Sequence, residues 1–204
     1  MPAGSGQKLS DLKQRLVAVS LDVIAEHGLE ALSMREVARR ADVSHQAPYK
    51  HFADREAVLA AVTAEGFRRL AAALVKSGAK KRDPWEKVLA LGEVYVSFAI
   101  SNPDLFRLMY RTGLIDPKQH PDCAASVAAS INAFNDRVSV VIRQLVDVDD
   151  PDLSIVFWSM AHGLANLLIE GRLARAGRDS PRDQKHTMQE VVDALRRVLA
   201  RWRR

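Results

Sequence analysis

Two helix-start signals, at Ser33 and Ser44, bracket a stretch with room for one two-turn helix and a tight turn and nothing larger. Ser33 followed by Glu36 has the form of a capping box, in which hydroxyl and carboxylate each reach a backbone N–H of the other residue. The spacing predicts a helix over about 34–40, with Met34, Val37 and Ala38 facing inward and Arg35, Arg39 and Arg40 outward. Ala41-Asp42-Val43 is the turn, and Asp42 falls where the chain wants a left-handed residue, a conformation Asp tolerates. Ser44 then caps a second helix through His51, with Pro48 costing one early intrahelical bond. This second helix holds no acid. Its outer positions carry hydrogen-bonding, aromatic and basic groups, which suit a major groove better than a core. An ordinary helical hairpin with its polar faces outward satisfies the same pattern.

The remaining chain reads as helix throughout, for an all-α fold of about nine helices. Residues 1–7 are small and Gly-rich and are expected to be flexible. A first helix spans about 8–27 and stops at Gly28; Phe52 plugs the base of the small unit; Asp54 caps a long helix to about Lys76. Asp83-Pro84-Trp85-Glu86 opens the fifth helix, to Ser101, and a short one follows over 104–110. The last three are expected over about 122–146, 151–176 and 181 onward. Strand alternation, a Gly-rich phosphate loop and a nucleophile–base pair are all missing from the sequence, and the six His are scattered without metal spacing. No cofactor, metal or catalytic residue is therefore expected. The lone Cys123 reads as a small helix residue.

Net charge is +5, but the excess lies in Lys80-Lys81-Arg82 and in the C-terminal arginines. Residues 1–56 hold equal numbers of acids and bases, so binding DNA has to depend on which face carries the cations. An N-terminus without an apolar core and no apolar run of spanning length imply a soluble, cytoplasmic protein that does not enter a membrane.

The run Gly28-Leu29…Leu32-Ser33-Met34-Arg35-Glu36-Val37-Ala38…Val43-Ser44…Tyr49-Lys50-His51-Phe52…Arg55-Glu56…Leu59 resembles the N-terminal domain of TetR/AcrR-type transcriptional regulators. The resemblance implies double-stranded DNA as partner, at a pseudo-palindromic operator, and a helix-turn-helix domain over 8–55. It implies base or backbone contacts from Arg35, His45, Gln46, Ala47 and Tyr49, and phosphate contacts from Ser33, Lys50, His51 and Arg55, with Ser44 also in the DNA-binding set. Asp42 departs from the family's usual Gly, and Ala47-Pro48 from a common Thr-Leu pair, which removes a hydroxyl that often contacts DNA.

Residues 56–204 read as a ligand-binding and dimerisation domain. The helix from Pro151 is apolar all round, and the last helix has a clean stripe, so each has a face to bury against a second copy. The expected homodimer interface uses Leu164, Leu168, Val191, Leu195 and Leu199. Asn102-Pro103-Asp104-Leu105-Phe106-Arg107-Leu108-Met109-Tyr110 and Trp158-Ser159-Met160-Ala161-His162-Gly163-Leu164 look like the ligand-binding domain named for its Trp-His-Gly motif. That resemblance implies a small-molecule effector that releases DNA, lined by Phe98, Phe106, Met109, Tyr110, Phe134, Trp158, His162 and Asn166. An aromatic core with a hydrogen-bonded His fits the same residues. A helical ligand-binding or protein-interaction module without DNA binding is the alternative for the chain.

Overall fold

The computed structural model describes residues 4–77, 81–116, 118–146, 151–173 and 180–202. Eight α-helices account for most of them: α1 (Gly4–His27), α2 (Met34–Arg40), α3 (Arg55–Lys76), α4 (Pro84–Ser101), α5 (Pro103–Met109), α6 (Pro121–Val146), α7 (Pro151–Ile169) and α8 (Pro181–Trp202). Two 3₁₀ turns, Leu29–Ala31 and Pro48–Lys50, complete the list, and no strand occurs among the described residues. The chain forms two compact units: residues 1–68 with 104–128, and residues 69–103 with 129–204.

Most helix starts follow the sequence signals. Asp83 accepts from the Glu86 N–H at 3.2 Å and Asp54 from that of Ala57 at 2.9 Å. Three details differ from expectation. The first helix begins at Gly4, inside the stretch expected to be flexible, of which residues 1–3 lie outside the described residues. The helix over Ser44–His51 does not form as an α-helix. Pro48 has no N–H to give the Ser44 carbonyl, which instead takes the Ala47 N–H at 2.9 Å; the Lys50 and His51 amides likewise reach back three residues. This is why eight α-helices stand where nine were expected. The helix from Pro151 ends at Ile169 rather than near Ala176, a position outside the described residues. Gly171 takes φ 68°, and the Gly171 and Arg172 amides cap the Leu168 and Leu167 carbonyls, so the chain leaves the helix there.

In the first unit, Leu16, Val23 and Ile24 of α1 are buried with Leu32, Met34, Val37, Phe52, Val58 and Leu59. Phe52 thus closes the base of the small unit as expected. Close packing also fixes α3 against α5. A Cβ built on Gly66 would stand 2.8 Å from Met109 Sδ and 3.1 Å from Leu105 Cδ1, whereas one on Gly92 of α4 would meet nothing within 4 Å. Gly66→Ala is expected to destabilise the protein by about 1 kcal/mol, as overpacking outweighs helix propensity. Gly92→Ala should stabilise it by a similar amount. Urea melts of the two variants compare them directly, and equal midpoints would show that α5 yields freely.

In the second unit α4 packs on α7 and α8, burying Leu91, Tyr95, Val96 and Ala99 with Ala165, Leu168, Met188 and Val192. Arg196 of α8 ties this layer, meeting Glu86 and Glu93 of α4 at 3.1 Å each and Asp193 at 2.8 Å. The stretch Asp152–Ile169 is long and apolar enough by composition to cross a membrane, contrary to the sequence reading. Ser154, Ala161, Ala165, Leu168 and Ile169 are buried along one face, and 28% of the stretch is buried in all.

Candidate nucleic-acid interface and effector domain

The turn after α2 is built by Asp42. It stands at φ 51°, and the Asp42 and Val43 amides bond the Arg39 and Ala38 carbonyls at 3.3 and 3.1 Å. This is a Schellman stop with Asp in place of Gly, and it turns the chain into the 44–51 segment. Half of the expected capping box is present: the Ser33 hydroxyl accepts from the Glu36 N–H at 3.1 Å. Glu36 turns outward, taking two bonds from Arg39 and one from Arg40. Arg39, then Arg40, hold its carboxyl at a pKa of about 2. Arg40 also reaches Glu26 at 2.6 Å and His27 at 2.6 Å.

This network resolves the balanced charge of the segment. Arg39 and Arg40 are spent on carboxylates, while Arg35 and Lys50 are exposed and have no carboxylate partner among the described residues. Arg35, His45 and Tyr49 line one surface recess of about 380 Å³, and Tyr49 is 51% exposed. Ser33, Ser44 and Gln46 are exposed and Ala47 half-buried. An exposed aromatic ring beside unpaired cations and hydrogen-bonding side chains can meet both base edges and phosphates.

Two expected phosphate residues are placed differently. Arg55 is half-buried and donates from Nε to the Leu32 carbonyl at 2.7 Å and from Nη2 to the Leu29 carbonyl at 2.9 Å, clamping the 3₁₀ turn ahead of α2. His51 is also half-buried, and its Nε2 is buried without a hydrogen-bond partner among the described residues. Glu56, which the sequence reading left without a role, fastens the loop before α6: it accepts from the Asp116 N–H at 3.0 Å and lies 3.4 Å from His120 Nε2. No local pattern signals such long-range partners.

The eight residues expected around an effector fall into two groups. Phe106, Met109 and Tyr110 belong to the first unit, where Tyr110 packs on Phe106 and edge-on to Phe67 at 5.5 Å. Phe98, Phe134, Trp158, His162 and Asn166 belong to the second. There the organising residue is Tyr95 of α4, which is absent from the expected lining. Its hydroxyl accepts from Trp158 Nε1 at 3.2 Å and lies 2.9 Å from His162 Nδ1, and its ring stands edge-on to Phe134. A Tyr among aliphatic residues was the available signal, since a buried phenol needs a partner. Burial pushes the His162 pKa down, which favours the neutral ring, and the Tyr95 hydroxyl and His162 Nδ1 share a hydrogen bond. Asn166 turns its amide to the His162 carbonyl, and Phe98 is half-buried on α4.

Of the expected subunit-interface residues, Leu164, Val191 and Leu195 are half-buried, and the Leu199 side chain lies outside the described residues. Leu168 is a correction: it is 2% exposed, inside its own unit. The outward stripe of α7 is instead Val156, Met160, Gly163 and Leu167. A helix apolar on every side gives the sequence no means of choosing which side faces out.

Known proteins agree with this arrangement. Residues 16–62 match the N-terminal profile of bacterial regulatory proteins of the tetR family. Residues 88–195, more than half the chain, match the Tetracyclin repressor-like C-terminal domain. A solved protein of unknown function from Rhodococcus sp. RHA1 is 27% identical, with a TM-score of 0.67 over 95% of this chain and 98% of its own. A tetR-family regulatory protein from Rhodococcus RHA1 shares the fold at 19% identity, with a TM-score of 0.65 over 90% of this chain and 94% of its own. The HTH-type transcriptional regulator Rv1816 of Mycobacterium tuberculosis is 24% identical over 134 residues, 64% of this chain. That match spans 57% of the regulator's length, less than two thirds. Matched at both ends by the family's profiles, and carrying its helix-turn-helix with Asp42 at the turn, the chain belongs to the tetR family of bacterial regulatory proteins.

Proposed function

We propose that the protein is a homodimeric transcriptional repressor of the cytoplasm that leaves a pseudo-palindromic DNA operator when a small molecule binds. Residues 8–55 are the DNA-binding domain and 56–204 the effector and dimerisation domain. The observation that carries the reading is the grouping of exposed Arg35, His45, Tyr49 and Lys50 beside a helix-turn-helix stop, with the other cations of α2 neutralised. His45 and Gln46 reach base edges, Tyr49 spans a thymine methyl and a phosphate, and Arg35, Ser33, Ser44 and Lys50 hold the backbone. The Tyr95–Trp158–His162 cluster supports an effector site in the second unit, where a polar group inside aromatic walls orients a bound molecule. The outward stripe of α7, with the half-buried Val191 and Leu195 of α8, supports the dimer.

A salt-dependent gel shift with the DNA upstream of the protein's own gene tests the reading, and the absence of any shifted species at low salt would sink it. The recognition segment divides its labour. Gln46→Ala is expected to lose about 1–3 kcal/mol on the operator and to relax preference at one base pair. Lys50→Ala should weaken all sequences alike and lower the salt slope by about one unit. Binding across an operator library at two salt concentrations separates them. If Gln46→Ala leaves base preference intact while Lys50→Ala changes it, the roles are reversed.

A further inference from the structure

We propose that the cleft between α4 and α6, at the C-terminal end of α3, binds a free amphiphilic organic anion of the medium-chain carboxylate type. The site is separate from the Tyr95–Trp158–His162 cluster; its regulatory meaning rests on reading the second unit as an effector domain. The cleft holds about 400 Å³, within the range of small-molecule pockets. Its floor is apolar, with Leu91 and Val141 buried and Val140 52% exposed.

The rim is basic. Lys81 and Lys87 line it and have no hydrogen bond or ion pair among the described residues. Arg137 completes it. Its Nη1 donates to the Ser77 carbonyl at 2.9 Å and its Nη2 to that of Val75, so its charge meets helix carbonyls rather than a carboxylate. The acid on the rim is Asp136, which is exposed and outnumbered by the three cations. An inorganic anion would leave Val140 and the floor wet, and a neutral hydrocarbon would leave the cations uncompensated. A carboxylate carrying an apolar body satisfies both at once. A concave cleft of this size suits a dissolved molecule better than a flat bilayer surface. Because Arg137 also caps the end of α3, an occupant that draws its guanidinium bears directly on the helix that begins at Arg55.

Calorimetric titration of the full chain with decanoate, without DNA, tests the site. Saturable binding of one molecule per chain is expected, with decanol about tenfold weaker. Lys81→Gln with Lys87→Gln should weaken decanoate about tenfold, and Asp136→Asn should tighten it. Among the described residues these side chains hold nothing else, so all variants should melt like the parent. No saturable binding, equal affinity for decanol, an unchanged double variant, or binding only to phosphatidylglycerol vesicles overturns the proposal. Operator binding measured without ligand is independent of this titration: operator binding with no decanoate binding removes this site alone, and the converse removes the regulator reading alone.

Discussion

Met160→Glu with Leu167→Glu is expected to convert the proposed dimer to monomer without unfolding the chain. Both side chains lie on the outward stripe of α7, at 52% and 43% exposure, so a carboxylate there is hydrated in the isolated subunit. In a dimer the same charges would be buried against their symmetry copies, which costs several kcal/mol. Operator affinity should fall at least about a hundredfold, because the two half-sites are no longer held by linked subunits. Light scattering gives the mass and far-ultraviolet circular dichroism the fold. Leu168→Glu is the contrast: at 2% exposure it should unfold the second unit and not merely dissociate it. Gly163→Ala adds a finer readout. A Cβ there meets nothing within 4 Å among the described residues, so a loosened dimer from this change would mean the partner helix crosses close to Gly163. A double Glu variant that folds normally and stays dimeric would place the interface elsewhere.

Arg55→Ala is expected to destabilise the protein by about 3 kcal/mol, with DNA binding falling as the 3₁₀ turn and α2 lose their anchor. The guanidinium makes two charge-assisted bonds to the Leu29 and Leu32 carbonyls from a half-buried position. Removing it deprives both of that donor and frees the entry to the helix-turn-helix. Arg55→Lys should recover little, since an ammonium cannot span the two carbonyls as a planar fork does. The salt dependence of operator binding separates this from a phosphate contact. A clamp leaves the slope near its original value, whereas a lost phosphate contact lowers it by about one unit, as for Lys50→Ala. An Arg55→Ala protein with unchanged melting temperature and a reduced slope would return the residue to the DNA backbone.

The sequence by itself determined the helices and most of their ends. Caps, left-handed stops and apolar periodicity act within a few residues, so Ser33, Asp42, Asp54 and Asp83 could be read directly, and each is found where its chemistry requires. The exposed group Arg35, His45, Gln46, Tyr49 and Lys50 was legible for the same reason, since short elements bounded by caps leave few choices of outward face. Local reasoning failed where several weak signals competed, as at Pro48, where one missing N–H turned an expected helix into 3₁₀ geometry, and at Gly171, which stands between Glu170 and Arg172 just past a long apolar run. Only the tertiary structure decided which charges are free. Glu36 neutralises Arg39 and Arg40, carbonyls 23 and 26 residues away hold Arg55, and Tyr95 meets Trp158 and His162 across more than sixty positions. Such partners are chosen by packing, which brings distant residues within hydrogen-bond reach, and no sequence period records them. The same holds for α7: its composition is apolar on every side, and packing against α4 and α8 selects the face that stays exposed.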